Sequence, residues 1–260
     1  MNKIEISLAE KFSEWVHKLK INDIPEEVVN KLQLVVMDSF GLMASARDEQ
    51  YIKSLINALQ ETGDCTLVGH NTKVNPFNAA IINGTAIHGE DFDDTFEGTP
   101  VHVGSVMVPA MLSSAQAKNL DGEKFLKGLV VGSELICRLA LVAPTAVHRQ
   151  GFHPTAIFGA FGSSIGVSSL LGNSINEMSS GLGIVGSMAS GIIEYLAEGT
   201  STKRLHPGWA AGCGWQSANF AKSGFLGPRT VLSTPIIAIF YRRKCICIIE
   251  QYMCMSETTC

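Results

Sequence analysis

An all-α fold is predicted by three observations. Apolar residues recur at helical spacing from the first segment onward, strand-type alternation is nearly absent before Leu232, and 25 glycines accompany only 7% aromatic residues. Such a composition suits helices that approach one another closely. Ser7 caps a first helix running to about Lys20, with Glu10 at the capping-box position and Phe12, Trp15, Val16 and Leu19 at helical spacing. Pro25 near a first turn, with Glu26 and Glu27 at the positive end of the helix dipole, starts a second helix that continues through "VVNKLQLVVMDSFGLMASA". A third covers 51–60, and "CTLVG" at 65–69 reads as a brief extended piece. Further helices are predicted at 75–88, 104–118, 122–142, 154–171, 175–195 and 207–222, the last beginning at Pro207.

The chain has 260 residues, 46% of them hydrophobic, enough for one large core or two modest ones. A net charge of −4 and a pI near 6.0 leave no electrostatic footprint for nucleic acid. The first twenty residues carry charges throughout and lack an apolar run before a small-residue cleavage site, which predicts a cytoplasmic protein. The uncharged run 154–176 is long enough to span a bilayer, but Ser163, Ser164, Ser168, Ser169, Asn173, Ser174 and Asn176 interrupt it. Glu134 and Arg138 likewise sit inside the preceding apolar helix, so membrane partners are excluded. Cys65, Cys137 and Cys213 are read as buried small side chains. Cys245, Cys247, Cys254 and Cys260 crowd the last stretch without metal-ligand spacing.

Three constellations carry chemistry. In "HGEDFDDTFEGTPVHVGS", Glu90, Asp91, Asp93 and Asp94 must be solvated, paired or bound to a metal. A magnesium–diphosphate site would need a second acidic motif on a facing helix, and the later acids are scattered; the bland alternative is a helix end whose acids cap backbone N–H groups. In "GFHPT", His153 precedes a helix start. In "STKRLHPG", Lys203, Arg204 and His206 stand just before the helix predicted from Pro207, where cations oppose the dipole unless an anion binds there. Asp91, His102, His153 and Lys203 thus form a set suited to proton abstraction beside a carboxylate, with fixed cations stabilising an enediolate and a histidine moving the proton. That chemistry needs no metal and no other cofactor. The three basic residues should converge in one cleft.

"INGTAIHGEDFDDTFEGTPVHVGSVMVPAML", "GFHPTAIFGAFGSSIG", "GSMASGIIEYLAEGTSTKRLHPGWAA" and "GFLGPRTVL", in this order, resemble the MmgE/PrpD family over about residues 5–232. The family includes 2-methylcitrate dehydratase, cis-aconitate decarboxylase and iminodisuccinate epimerase. The resemblance implies a large helical domain, a homodimer, a small di- or tricarboxylate substrate and no metal. It also implies that Asp91, His102, His153 and Lys203 are catalytic, and that Thr95 and His206 support substrate binding. Dehydration of 2-methylcitrate is the default expectation; the alternatives are a decarboxylase or epimerase of the same family, or a noncatalytic helical dimerisation or binding domain.

Two departures from the family pattern bear on these expectations. Gly212 stands where many relatives carry a larger polar residue, commonly His, and the likeness stops at Leu232, where relatives continue into a smaller α+β domain. Residues 1–232 are therefore read as the helical domain and 233–260 as a poorly ordered, β-leaning tail of a truncated or frameshifted product. On that reading His102, His153 and Lys203 face open solvent, and the chain has little lyase activity.

Overall fold

In a computed structural model, residues 6–59 and 61–233 are described, and they form a helical assembly with one very small sheet. Helix α1 (Leu8–Lys18) begins at Ser7, which accepts the Glu10 N–H while the Glu10 carboxylate takes the Ser7 N–H at 2.9 Å. Both halves of the expected capping box are present. Helix α2 (Glu26–Ser45) and α3 (Gln50–Ala58) follow, then strands β1 (Thr62–Thr66) and β2 (Lys73–Val74), which pair antiparallel with an irregularity between Thr62 and Cys65. The expected extended piece overlaps this ladder only at Cys65 and Thr66; Leu67 and beyond already turn, as the His70 N–H to Leu67 carbonyl bond of 3.0 Å shows.

Helix α4 (Pro76–His88) starts from Asn75, whose side chain accepts the Asn78 N–H, and is buried from Asn78 to His88. Helices α5 (Gly104–Lys118) and α6 (Gly122–Val142) have the bounds predicted from sequence. The short α7 (Ala146–Arg149) was not foreseen. Helix α8 (Pro154–Leu170) lies at the centre, packed on α5, α6, α9 (Ile175–Gly186) and α11 (Thr202–Lys222), and of its residues only Ser169 is not buried. Between α9 and α11 lies the four-residue α10 (Tyr195–Glu198).

Two helix crossings are backbone-tight. A Cβ on Gly132 of α6 would lie 2.6 Å from the Gly162 carbonyl oxygen of α8, and one on Gly162 would lie 2.7 Å from that of Gly132. A Cβ on Gly84 of α4 would lie 2.6 Å from the Gly208 Cα of α11, and one on Gly208 would strike the Ile81 carbonyl. These contacts require glycine on both helices at each crossing.

Two helix boundaries need correction. The helix from Ile175 ends at Gly186, not Tyr195, because the following chain pairs its backbone with the segment before α8: His153 N–H donates to Gly191 at 2.8 Å and Ile193 N–H to Gly151 at 2.9 Å. Gly191, at φ 132°, makes that turn. Helix α11 begins at Thr202, not Pro207. A proline inside a helix forfeits one backbone bond, here to the Lys203 carbonyl. The extra turn is held instead by side chains, since Arg204 Nε donates to the Gly89 carbonyl at 2.7 Å and Lys203 pairs with Asp91.

No helix among the described residues is long and apolar enough to cross a membrane. The tail expectation from residue 234 onward lies outside the described residues.

Candidate active site

The loop leaving α4, the N-terminus of α8, the segment around α10 and the first turn of α11 enclose a cleft of about 470 Å³. Asp91, His102, His153 and Lys203 all line it, together with His88, Arg204 and Tyr195. Thr95 is exposed beside it, its hydroxyl 3.5 Å from His102 Nδ1, and His206 lies behind His153, their Nδ1 atoms 3.2 Å apart. That distance requires one of the two nitrogens to carry a proton and the other to be bare. His206 and Tyr195 also border an adjoining hollow with Trp209.

Lys203 therefore stands inside the first turn of α11, not in a loop before it. The anion that a helix N-terminus favours is supplied by the chain itself: the Lys203 ammonium sits on Asp91 Oδ1, and Asp91 takes a left-handed conformation (φ 57°) to reach it. The expected exposure to open solvent is also corrected. His153 is only 4% exposed, and the side chains of His102 and Lys203 only 14% and 28%. The acidic loop, α8 and the chain around Tyr195 already cover them.

The four acids of the loop have four different surroundings. Glu90 accepts the Tyr51 hydroxyl at 3.0 Å, and Asp94 accepts the first N–H of α5, Gly104, at 2.8 Å. Asp91 takes Lys203. Asp93 is buried between two imidazoles, 2.9 Å from His88 Nδ1 and 3.3 Å from His102 Nδ1. Asp93 was named from sequence only as one of the four clustered acids, without a site role, and His88 and Tyr195 were not singled out. The signal for the first two was their place in "HGEDFDD", two imidazole-or-carboxylate residues five positions apart at the end of an apolar helix.

The electrostatics divide the histidines. Burial foremost, with the Lys203 ammonium adding to it, pushes His153 down to about 2 and His206 down to about 4. Burial also works against charge on His102, but the bond to Asp93 and the charges of Asp93 and Asp91 outweigh it and raise its pKa above the usual 6.5. Asp93 would be raised by burial, yet the two imidazoles hold it below the usual carboxylate range. His88, Asp91 and His102 each bring a ligand-type atom within 4.8 Å of the others. The Lys203 ammonium already occupies the Asp91 oxygen, so a divalent cation would have to expel it, and the arrangement fits a metal poorly.

A pH dependence of stability follows. An unfolded imidazole takes up a proton near 6.5, whereas folded His153 and His206 resist it to about 2 and about 4. The unfolded state thus binds more protons below 6.5, and stability falls on acidification. The lowered Asp93 adds a further loss below the carboxylate range, while the raised His102 contributes stability that is lost as pH rises through its folded pKa. Thermal midpoints measured by circular dichroism should fall steadily from about pH 6.5 to about pH 4. A flat midpoint over that window would contradict two buried neutral imidazoles.

A family profile described as the MmgE/PrpD N-terminal domain matches residues 10–236. The "Cis-aconitate decarboxylase-like protein oryM" of Aspergillus oryzae is 31% identical over 229 residues, covering 84% of this chain and 47% of that protein. The cis-aconitate decarboxylase of Homo sapiens is 29% identical over 235 residues, 87% of this chain and 48% of that protein, and that of Aspergillus terreus is 26% identical over 228 residues, 84% and 46%. The chain spans about half the length of the curated relatives it matches. With the profile aligned over most of its length and the acidic loop, "GFHPT" and "STKRLHPG" segments meeting at one cleft, the chain belongs to the MmgE/PrpD family.

Proposed function

We propose that this protein contributes the histidine-and-lysine face of a lyase acting on a small di- or tricarboxylate. The observation that carries the reading is the meeting of Lys203, His102, His153 and Asp91 in one partly covered cleft. Lys203 holds a substrate carboxylate, exchanging Asp91 for it. His102, kept protonated toward neutral pH by Asp93, is the general acid. His153, held neutral over the same range by burial, is assigned to hydrogen bonding at the cleft wall and not to the general-acid role. Environments that push two groups' pKa values apart assign their roles.

The names of the relatives move the first substrate to test from 2-methylcitrate to cis-aconitate. In that reaction the bond to one carboxylate breaks, CO2 leaves, the electron pair shifts along the carbon skeleton, and a carbon takes one proton. His102 supplies that proton while Lys203 orients a carboxylate that stays. Dehydration of 2-methylcitrate is the second arm of the same assay. The test combines calorimetric titration with cis-aconitate and 2-methylcitrate with measurement of CO2 release and water loss. Turnover of either acid supports the lyase reading and selects the reaction. No binding and no turnover would leave a noncatalytic helical domain.

The same reading includes a homodimer. Helix α2 is 20 residues long, yet buries only Ser39 and Met43 and exposes Leu34, Met37 and Phe40 at 56%, 67% and 38%. Sedimentation at tens of micromolar is expected to give a dimer that Met37→Glu dissociates. A monomeric wild-type chain would remove this proposal.

A further inference from the structure

Asp93, which favours the charged form of His102, also touches a second ring to which the proposed chemistry gives no task. Asp93 is 6% exposed and lies between two rings: His88 Nδ1 is 2.9 Å from Oδ2 and 3.2 Å from Oδ1, and His102 Nδ1 is 3.3 Å from Oδ1. An ionised carboxylate only accepts hydrogen bonds, so each facing nitrogen must carry a proton. His88 is the last residue of α4 and its side chain is fully buried; among the described residues its Nε2 has no hydrogen-bond partner, and it lies 3.8 Å from Asp91 Oδ1. That leaves Nδ1, the nitrogen facing Asp93, as the one with a partner for a proton. The rings of His88 and His102 meet edge to face with centroids 4.7 Å apart. Asp93 is itself anchored, because its neighbour Asp94 binds the first N–H of α5.

We infer that Asp93 is a positioning residue that clamps His88 and His102 as a pair, both Nδ1–H groups turned toward its carboxylate, so that His102 meets the substrate through Nε2. As a statement about substrate it rests on the lyase reading; as a statement about the two rings it does not. The groups facing His102 are consistent with the assignment. Asp93 and Asp91 favour its charged form and Lys203 opposes it, and the Thr95 hydroxyl stands 3.5 Å from the same Nδ1, farther than the Asp93 oxygen. Orienting a histidine through a carboxylate on its far nitrogen is an established way to fix both ring angle and tautomer.

The test reads the rings directly. In long-range 1H–15N spectra of the labelled 260-residue chain, recorded above the His102 titration, His88 and His102 are expected as Nδ1–H with bare Nε2. An Nε2–H form on either ring in the unmutated protein overturns the proposal, whether or not any variant folds. In Asp93→Asn, His102 is expected to lose its preference for Nδ1–H and its proton affinity to fall by about tenfold or more, one pKa unit. Unchanged nitrogen shifts and titration there would overturn it equally. The alkaline limb of the pH–rate profile should move to lower pH in the same variant with KM little changed, whereas a purely structural Asp93 would cost stability and leave the limb in place. Clamped rings without binding or turnover of either acid would keep the clamp and remove the lyase reading. Turnover with unclamped rings would do the reverse.

Discussion

On the proposed lyase reading, replacing Lys203 by alanine is expected to lower turnover of cis-aconitate by about 100-fold or more, the usual scale for deleting a charged group aimed at a reacting anion. Lys203 stands in the first turn of α11 with its ammonium on Asp91, and its side chain is 28% exposed, so it is neither a loose surface charge nor a sealed one. On that reading a substrate carboxylate entering the cleft takes the place of the Asp91 oxygen on the Lys203 ammonium. The loss should appear in both kcat and calorimetric affinity, because the lysine holds the substrate before and during reaction. Lys203→Arg keeps the charge but changes its shape and reach, and should recover affinity better than rate. Unchanged turnover in Lys203→Ala would reassign the residue to holding α11 against the acidic loop.

The second large effect concerns stability. Gly208→Ala places a Cβ against the Ile81 carbonyl of α4 and 3.0 Å from the Thr85 nitrogen, where backbone, not a flexible side chain, would have to move. Overpacking of this kind costs about 3 kcal/mol or more. In a domain of this size that lowers the thermal midpoint by roughly 6 to 12 °C. Gly122→Ala, at a helix start with nothing within 4 Å, is the control and should change the midpoint little. A Gly208→Ala midpoint equal to that of the control would mean that α4 and α11 have slack at their crossing. A displaced α11 would also carry Lys203 away from Asp91, so turnover should fall with the midpoint.

Much of this fold was legible because caps and spacing agree. Ser7 with Glu10 marks a helix start that the structure keeps, and the starts predicted at 75, 104, 122, 154 and 175 fall within one residue of the observed ones. The start of α11 was misplaced because Pro207 is a strong local signal, whereas the contacts that extend the helix back to Thr202 come from the α4 loop, 112 residues away at Asp91. The same distance in sequence hid the division of labour among the acids. Nothing local distinguishes Asp93 from Asp91, since a loop has no periodicity from which burial can be read, and only the fold sets one between two rings and the other on a lysine. His88 was obscured in another way: α4 is buried all round, so no polar face exists against which a single imidazole would stand out. The motif residues His102, His153 and Lys203 were legible as a set, their burial was not.

The cleft has walls of unequal stiffness. On one side His153 opens α8, a helix almost wholly enclosed by its neighbours; on the other, residues 187–201 bury only Tyr195 and are tied down mainly by the two backbone bonds to Gly151 and His153. A ligand pressing toward α8 meets a surface that cannot yield without disturbing the whole domain. One pressing toward Leu196, Gly199 and Thr200 meets chain that can be reshaped at small cost. Substitutions that fit the cleft to acids of different length or branching are therefore expected to succeed along residues 187–201 and to fail along α8.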